Sequence, residues 1–410
     1  MMRYLKLGLA ILSAAALMAL AWLAFQPAPR REARAALTGA LAPDDISGYA
    51  RAFEPRPFAF PADHGPHPEY QTEWWYYTGN LRDAAGRHFG FQVTFFRRAL
   101  APAAGLAPRA SRLAASQLYF AHFAVTDTGA GSHAGFERFS RGAGGLAGAC
   151  ARGSAEPCQD GAAGDGAAGD GPAFRVFLEN WSATALDAAG DTARLVARDG
   201  SYALDLALSA ARPPVAHGDR GLSPKSGEPG NASYYYSFTR LEAAGQVSTP
   251  SGAFEVTGQA WMDHEWSTSA LGAQARGWDW FSIQLDGRRE LMVFQIRNAD
   301  GSLEPASSGT LVEPDGTTAR LSAEAVQIEV LERWRSPATG GEYPVRWRLK
   351  VPSQDIDLLL AARLPDQEMR VSIVYWEGAV AVSGTVGGRP VSGQGYVEMT
   401  GYAQSINGKF

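Results

Sequence analysis

Val256-Thr-Gly-Gln-Ala-Trp-Met-Asp263 and Val391-Ser-Gly-Gln-Gly-Tyr-Val-Glu398 carry the same eight-residue pattern at two places in the chain. A second pair flanks them. Trp75-Tyr-Tyr77, a turn at Asp83 to Gly86, then Phe91-Gln-Val93 and Arg97 return as Trp278-Asp-Trp280, a turn at Asp286-Gly287, then Phe294-Gln-Ile296 and Arg297. The tryptophans and the phenylalanines share one offset, 203 residues. Each copy has the pattern of strand, short turn and strand, a hairpin. The chain therefore reads as a duplicated module. One copy opens at Trp75 and closes near Trp266; the other opens at Trp278 and closes near Tyr402.

Short alternating runs fill the modules. Arg175 to Trp181, Tyr202 to Leu208, Gln327 to Trp334 and Val345 to Val351 each read as half-buried strands. Helical periodicity is weak outside the N-terminus, and 46 glycines supply turns between aromatic and β-branched runs. The expected architecture is mostly β: two tandem antiparallel β-barrel domains, 53–270 and 275–410, preceded by an N-terminal apolar helix. The first module is the longer. Its excess is assigned to a Gly/Ala/Asp-rich insertion near 150–172 and to the Pro/Gly segment Arg212 to Asn231. Cys150 and Cys158, the only cysteines, stand at the base of that insertion, where a disulfide would pin it.

Composition narrows the partners. The 410 residues carry a net charge of −5 with no basic block or stripe, so nucleic acid is not an expected partner. Arg3 and Lys6 precede an apolar run from Leu7 to Phe25, followed by a polar, Pro-containing stretch. Residues 1–34 thus read as a signal peptide or a membrane anchor, placing the body in the periplasm or outside the cell.

Asp263, His264 and Glu265 stand in a row after Trp261. On a regular strand Trp261, Asp263 and Glu265 share one face and Met262, His264 and Trp266 the other, which argues against a single Asp-His-Glu metal site. No H-E-x-x-H zinc pattern, G-x-S-x-G elbow, Walker A loop or dinucleotide fingerprint occurs, so no metal and no cofactor is expected. The repeat offers an internal control. Asp263 aligns with Glu398, which suggests a structural acid at a strand end. His264, Glu73 and Asp279 have no acidic or imidazole counterpart in the other copy and are the better candidates for chemistry. The junction between the modules is a favoured place for a pocket. The aromatic runs Trp74 to Tyr77 and Trp278 to Phe281 are candidates to line it.

D-H-G-P-H-P-E-Y-Q-T-E-W-W-Y-Y-T-G-N-L (63–81), F-G-F-Q-V-T-F-F-R (89–97), Q-L-Y-F-A-H-F-A-V-T-D (117–127), G-Q-A-W-M-D-H-E-W (258–266) and G-W-D-W-F-S-I-Q-L (277–285) together resemble the AttH-like proteins. These belong to the carotenoid 1,2-hydratase superfamily and are often labelled predicted secreted hydrolases. The resemblance runs from Phe53 to Tyr402 and implies two lipocalin-like barrels. The superfamily includes hydratases that add water to a polyene, and cyclases that fold polyenes between the two barrels. The AttH-like branch is exported and goes with transport systems. The hydratases resemble this chain at His264 and Trp266, but their Tyr-x-Asp pair is missing where Phe294-Gln-Ile296 stands.

The first expectation is an exported protein binding a lipid or other apolar, isoprenoid- or polyene-like molecule at the junction, linked to a membrane transport system. Trp74, Trp75, Tyr77, Trp266, Trp278, Trp280, Gln92 and Gln295 would line the site, and Glu73, His264 and Asp279 would orient the ligand. The second is a cofactor-free hydratase in which Asp263 or Asp279 protonates an alkene and His264 positions water. A secreted hydrolase is a weaker third.

Overall fold

A computed structural model describes residues 46–102, 115–158, 171–268, 271, 272 and 274–406. The N-terminal apolar segment and the middle of the low-complexity insertion lie outside the described residues. Among the described residues the protein is built of 23 strands and three single-turn 3-10 helices, with no α-helix. None of the described helices is long and apolar enough to cross a membrane.

The first sheet contains β1 (Thr72–Asp83), β2 (His88–Ala99), β3 (Gln117–Asp127), β4 (Ser132–Arg141), β5 (Ala147–Ala151), β6 (Phe174–Leu178), β7 (Trp181–Ala185), β8 (Thr192–Asp199), β9 (Tyr202–Ala210), β10 (Val215–Ala216), β11 (Leu222–Pro224), β12 (Ala232–Thr249) and β13 (Gly252–Ser267). Its order is β4-β3-β2-β1-β13-β12-β9-β8-β7-β6-β5, antiparallel throughout, with β10 and β11 added to β12. The sheet curls until β4 approaches the β6–β7 turn. There Arg138 donates to Glu179 at 3.2 Å and to the Arg198 carbonyl at 2.8 Å, and lies 4.5 Å over the Trp181 ring.

The second sheet contains β14 (Ala275–Leu285), β15 (Glu290–Asn298), β16 (Ser308–Val312), β17 (Thr318–Ser322), β18 (Gln327–Arg335), β19 (Glu342–Val351), β20 (Ile356–Ala362), β21 (Glu368–Arg370), β22 (Val374–Val386) and β23 (Arg389–Met399). Its order is β17-β16-β15-β14-β23-β22-β20-β19-β18, with β21 on β22. The matched pieces of sequence hold matched places: β2-β1-β13-β12 in one sheet and β15-β14-β23-β22 in the other. The fold is thus two curled antiparallel sheets forming two barrel-like, lipocalin-like bodies.

Alternation along these central strands makes three cores. Trp75, Tyr77, Phe91, Val93, Tyr236, Met262 and Trp266 fill the first barrel. Phe281, Ile283, Trp347, Trp376, Val397 and Met399 fill the second. The residues between them in sequence, Tyr76, Tyr235, Trp261, Trp280, Phe294 and Tyr396, point outward and pack the two barrels together. Polar bonds seal this junction: Asn80 donates to the Gly395 carbonyl at 3.0 Å, and Gln284 to the Thr239 and Ala260 carbonyls at 2.8 and 2.9 Å. At Gly90 the approach is so close that a Cβ would lie 2.7 Å from that of Ala379.

Two readings of the sequence need correction. The 203-residue offset falls one residue short of the structural match along β1 and β14, and runs three too long along β2 and β15, where Thr94 and Phe294 stand opposite Tyr76 and Trp280. Tyr76 stands opposite Asp263 and Trp280 opposite Glu398, so Tyr76, not Tyr77, is the counterpart of Trp280. A one-residue slip exchanges the faces of a strand, which is why Trp75 lies inside a barrel and Trp278 outside. The run Arg175 to Trp181 is not one strand; Glu179 adopts a left-handed φ of 56° and turns β6 into β7. The segment Arg212 to Asn231, which adds to the length of the first module, lays β10 and β11 against β12. Cys150 and Cys158 are disulfide-bonded beside β6, at the base of the insertion.

Candidate functional site in the cleft between the barrels

The outward faces of the central strands do not close completely. They leave a narrow cleft, part of it open to solvent. Trp74 and Tyr76 of β1, Thr94 and Phe96 of β2, Tyr235 of β12, and Asp263 and Glu265 of β13 line one side. Trp278 and Trp280 of β14, Phe294 and Ile296 of β15, Tyr375 and Glu377 of β22, and Glu398 of β23 line the other. Lys225, just after β11, and Leu271, between the barrels, complete the wall. The rings are set edge to face: Trp280 lies 5.2 Å from Tyr76 and 6.1 Å from Trp261. Such pairs contribute about 0.5–1.5 kcal/mol each beyond their buried area and hold the walls stiff.

Four carboxyl groups face this apolar space. Asp263 accepts hydrogen bonds from Tyr235 at 2.8 Å, from the Trp261 indole at 2.6 Å, and from Ser237. Burial outweighs those three donors and raises its pKa to about 7. Burial raises Glu398 to about 8, against the Trp278 hydrogen bond and helped by the charges of Asp263 and Glu265. Glu377 accepts from Tyr76 at 2.8 Å, while its other oxygen is buried without a protein partner. Burial and then the charge of Glu398 push it well above the carboxylate range. Glu265 is instead ion-paired to Lys225 at 2.6 Å and accepts from Ser233. Behind Asp263, Ser237 contacts Nε2 of His217 at 2.7 Å, and burial lowers that imidazole to about 3, keeping it neutral.

A second polar cluster lies inside the first barrel. The Glu73 carboxylate meets Nδ1 of His67 and Nε2 of His264, each at 2.8 Å, and accepts from Arg97 at 2.7 Å. Burial would raise Glu73, but the charges of Arg97 and His67 and the imidazole hydrogen bonds hold it well below the usual range. His67 also meets Asp63 at 3.0 Å, and Asp63 accepts both arms of Arg56. His264 stacks on Trp75 and His67 on Trp266. Ligand atoms of His67, Glu73 and His264 lie within 4.8 Å of one another, a spacing a metal could use. The Arg97 guanidinium already neutralises Glu73, so a second cation there meets like charge; the geometry fits a buried charge network that fastens β1, β2, β13 and the segment before β1.

The expected site residues therefore divide. Asp263, Trp74, Trp278 and Trp280 line the cleft. His264, Glu73, Trp75, Tyr77 and Trp266 belong to the interior of the first barrel, one pleat away from it. Asp279 points into the second barrel, bonded to Arg297 at 3.1 Å and to Tyr402 at 3.0 Å. Gln295 pairs with Asp279 across the ladder, between Phe294 and Ile296 and on the opposite face. Gln92 lies on the face that packs the barrels together, bonded to Thr94, and does not line the cleft. Tyr76, within the aromatic run expected at the junction, does line the cleft, whereas sequence reading missed Tyr235, Lys225, Glu265 and Glu377. The signal was the alternation itself: once Asp263 is placed facing the junction, each paired residue on its neighbouring strands is placed with it.

A protein of two barrel-like bodies whose outward aromatic faces enclose an acidic cleft is the class defined here. The AttH-like family matches residues 51–402, and the chain belongs to it. The crystal structure of a putative AttH from Nitrosomonas europaea is 31% identical, with a TM-score of 0.72, covering 86% of this chain and 99% of that one. Kievitone hydratase from Nectria haematococca shares the fold at 13% identity, with a TM-score of 0.61 over 88% of this chain and 99% of its own. CghA, solved with Sch210972, aligns at 15% identity and a TM-score of 0.50 over 87% of this chain and 97% of its own. No curated protein matches the sequence.

Proposed function

We propose that the cleft binds an apolar, unsaturated molecule and transfers protons to and from it, a cofactor-free reaction of hydro-lyase type. The observation that carries this reading is the placement of Asp263 and Glu398 in an aromatic slot, one from each barrel. Glu398, held neutral to about pH 8, is suited to give a proton to an alkene carbon. Asp263, poised near 7 and cradled by three donors, is suited to take one from the attacking water. Trp278 and Trp280 would steady the intervening cation with their π faces. The likeness to kievitone hydratase supports a fold able to host such chemistry. His264 and Asp279, both directed away from the cleft, have no place in this scheme.

Carriage of the same molecule without turnover is the second reading. It is favoured by the apolar run Leu7 to Phe25, which suits export to the periplasm, where a membrane transport system would be the partner. Incubation with a panel of apolar alkenes and enones separates the two. Hydration adds the mass of water and is lost in Glu398→Gln and in Asp263→Asn; carriage leaves every compound unchanged while quenching indole fluorescence. Compounds that neither quench nor react across the panel would remove both.

A further inference from the structure

The sequence holds four lysines, at 6, 225, 350 and 409, among 37 Lys and Arg together. Arginine is this chain's default cation. Lys350 is on a strand of the second barrel with its side chain 37% exposed. Lys225 is 8% exposed and lines the cleft, its Nζ 4.4 Å from the Phe294 ring and 5.3 Å from Tyr235. An arginine would serve an ion pair to Glu265 at least as well, but a guanidinium does not give up its proton and is not a nucleophile. A primary amine in an apolar, aromatic slot can be one.

We infer that Lys225 captures the carbonyl carbon of an apolar conjugated aldehyde as an imine, with Glu265 as its counterion. The inference rests on the cleft being an apolar binding site. Glu265, 2.6 Å from Nζ, takes the ammonium proton. The freed lone pair attacks the aldehyde carbon, a C–N bond forms, and the carbonyl π pair moves to oxygen, which receives that proton. The hydroxyl then leaves as water, its second proton coming from the nitrogen in exchange with Glu265 as the C=N bond forms. The proton that nitrogen keeps makes the product an iminium against the Glu265 carboxylate. One aldehyde and one lysine ammonium yield one iminium and one water, with no net change in charge. Ser233 holds Glu265, and the backbone bond from Lys225 to the Asn231 carbonyl at 2.9 Å holds the amine over the cleft. The aromatic lining of the cleft would face the conjugated tail.

All-trans-retinal is the probe, and borohydride the trap. The expected result is indole quenching on binding, a red-shifted retinal absorbance, and after reduction one adduct per chain on the peptide carrying Lys225. Lys225→Arg should still quench but give no adduct; Glu265→Gln should form less iminium and lose the red shift. Quenching without an adduct on Lys225, or an adduct that survives in Lys225→Arg, overturns the inference and leaves the cleft reading standing. Absence of both quenching and adduct overturns the two together.

Discussion

Replacing Asp263 by asparagine should invert the effect of this position on stability between acid and alkali. The wild-type carboxyl titrates near 7 in the fold against 3.8 for an ordinary aspartate, because burial penalises its charge. Between those values the unfolded chain has released this proton and the folded chain still holds it, so raising the pH favours unfolding. The contribution is full below about pH 4 and gone once the pH passes about 7. A shift of roughly three pKa units corresponds to about 4 kcal/mol. The amide of the Asp263→Asn variant does not titrate and escapes this loss. Its NH2 group cannot accept a hydrogen bond, as the hydroxyl oxygen of a neutral carboxyl still can, so one of the donors from Tyr235, Ser237 and Trp261 is stranded at a cost of about 1–3 kcal/mol at every pH. The variant should therefore be the less stable protein at pH 4 and the more stable at pH 8, by about 1–3 kcal/mol each way. Urea unfolding at a series of pH values reads this directly. Parallel stability curves for the two proteins would refute the claim that the fold holds a neutral Asp263.

Wild-type turnover should fall as the pH rises through about 8, where Glu398 loses its proton, and Glu398→Gln should stay inactive at every pH; a pH–rate profile of both proteins checks this. Glu73→Gln leaves the buried Arg97 uncompensated and should cost about 3–5 kcal/mol in a denaturant titration, while ligand affinity in the surviving folded protein stays near that of wild type. Gly90→Ala drives a methyl group toward Ala379 and should destabilise by about 1–3 kcal/mol in the same assay, because it wedges the barrels apart.

Much of the fold was legible because duplication and alternation are both periodic. The eight-residue repeat located β13 and β23, and the hairpin repeat located β1, β2, β14 and β15. Faces were harder. The alternation on 256–266 correctly separated Asp263 from His264, yet the 203-residue offset between the hairpins, one residue out of register, assigned Trp75 and Tyr77 to the junction. Aromatic residues occupy both faces of these strands, so hydrophobicity gives no phase there, and only the cross-strand register does. The expected site residues were split between two faces for a related reason. Residues that broke the repeat were preferred, but His264 and Glu73 break it because only the first barrel ties its wall to a preceding segment through His67. The acids that obey it, Asp263 and Glu398, face each other's barrels across the cleft. Lys225 arrives from a Pro/Gly stretch whose periodicity announces nothing; it is placed by the pairing of β11 with β12.

Everything proposed for the cleft depends on the space between the barrels being built for an apolar molecule. The decisive experiment is mass spectrometry of an organic extract from natively purified protein, set beside the Trp278→Ala, Trp280→Ala double variant. An unsaturated apolar molecule should be recovered in near-equimolar amount with the wild type and be lost from the folded variant. The same molecule recovered in equal amount from both proteins would contradict a binding site in the cleft.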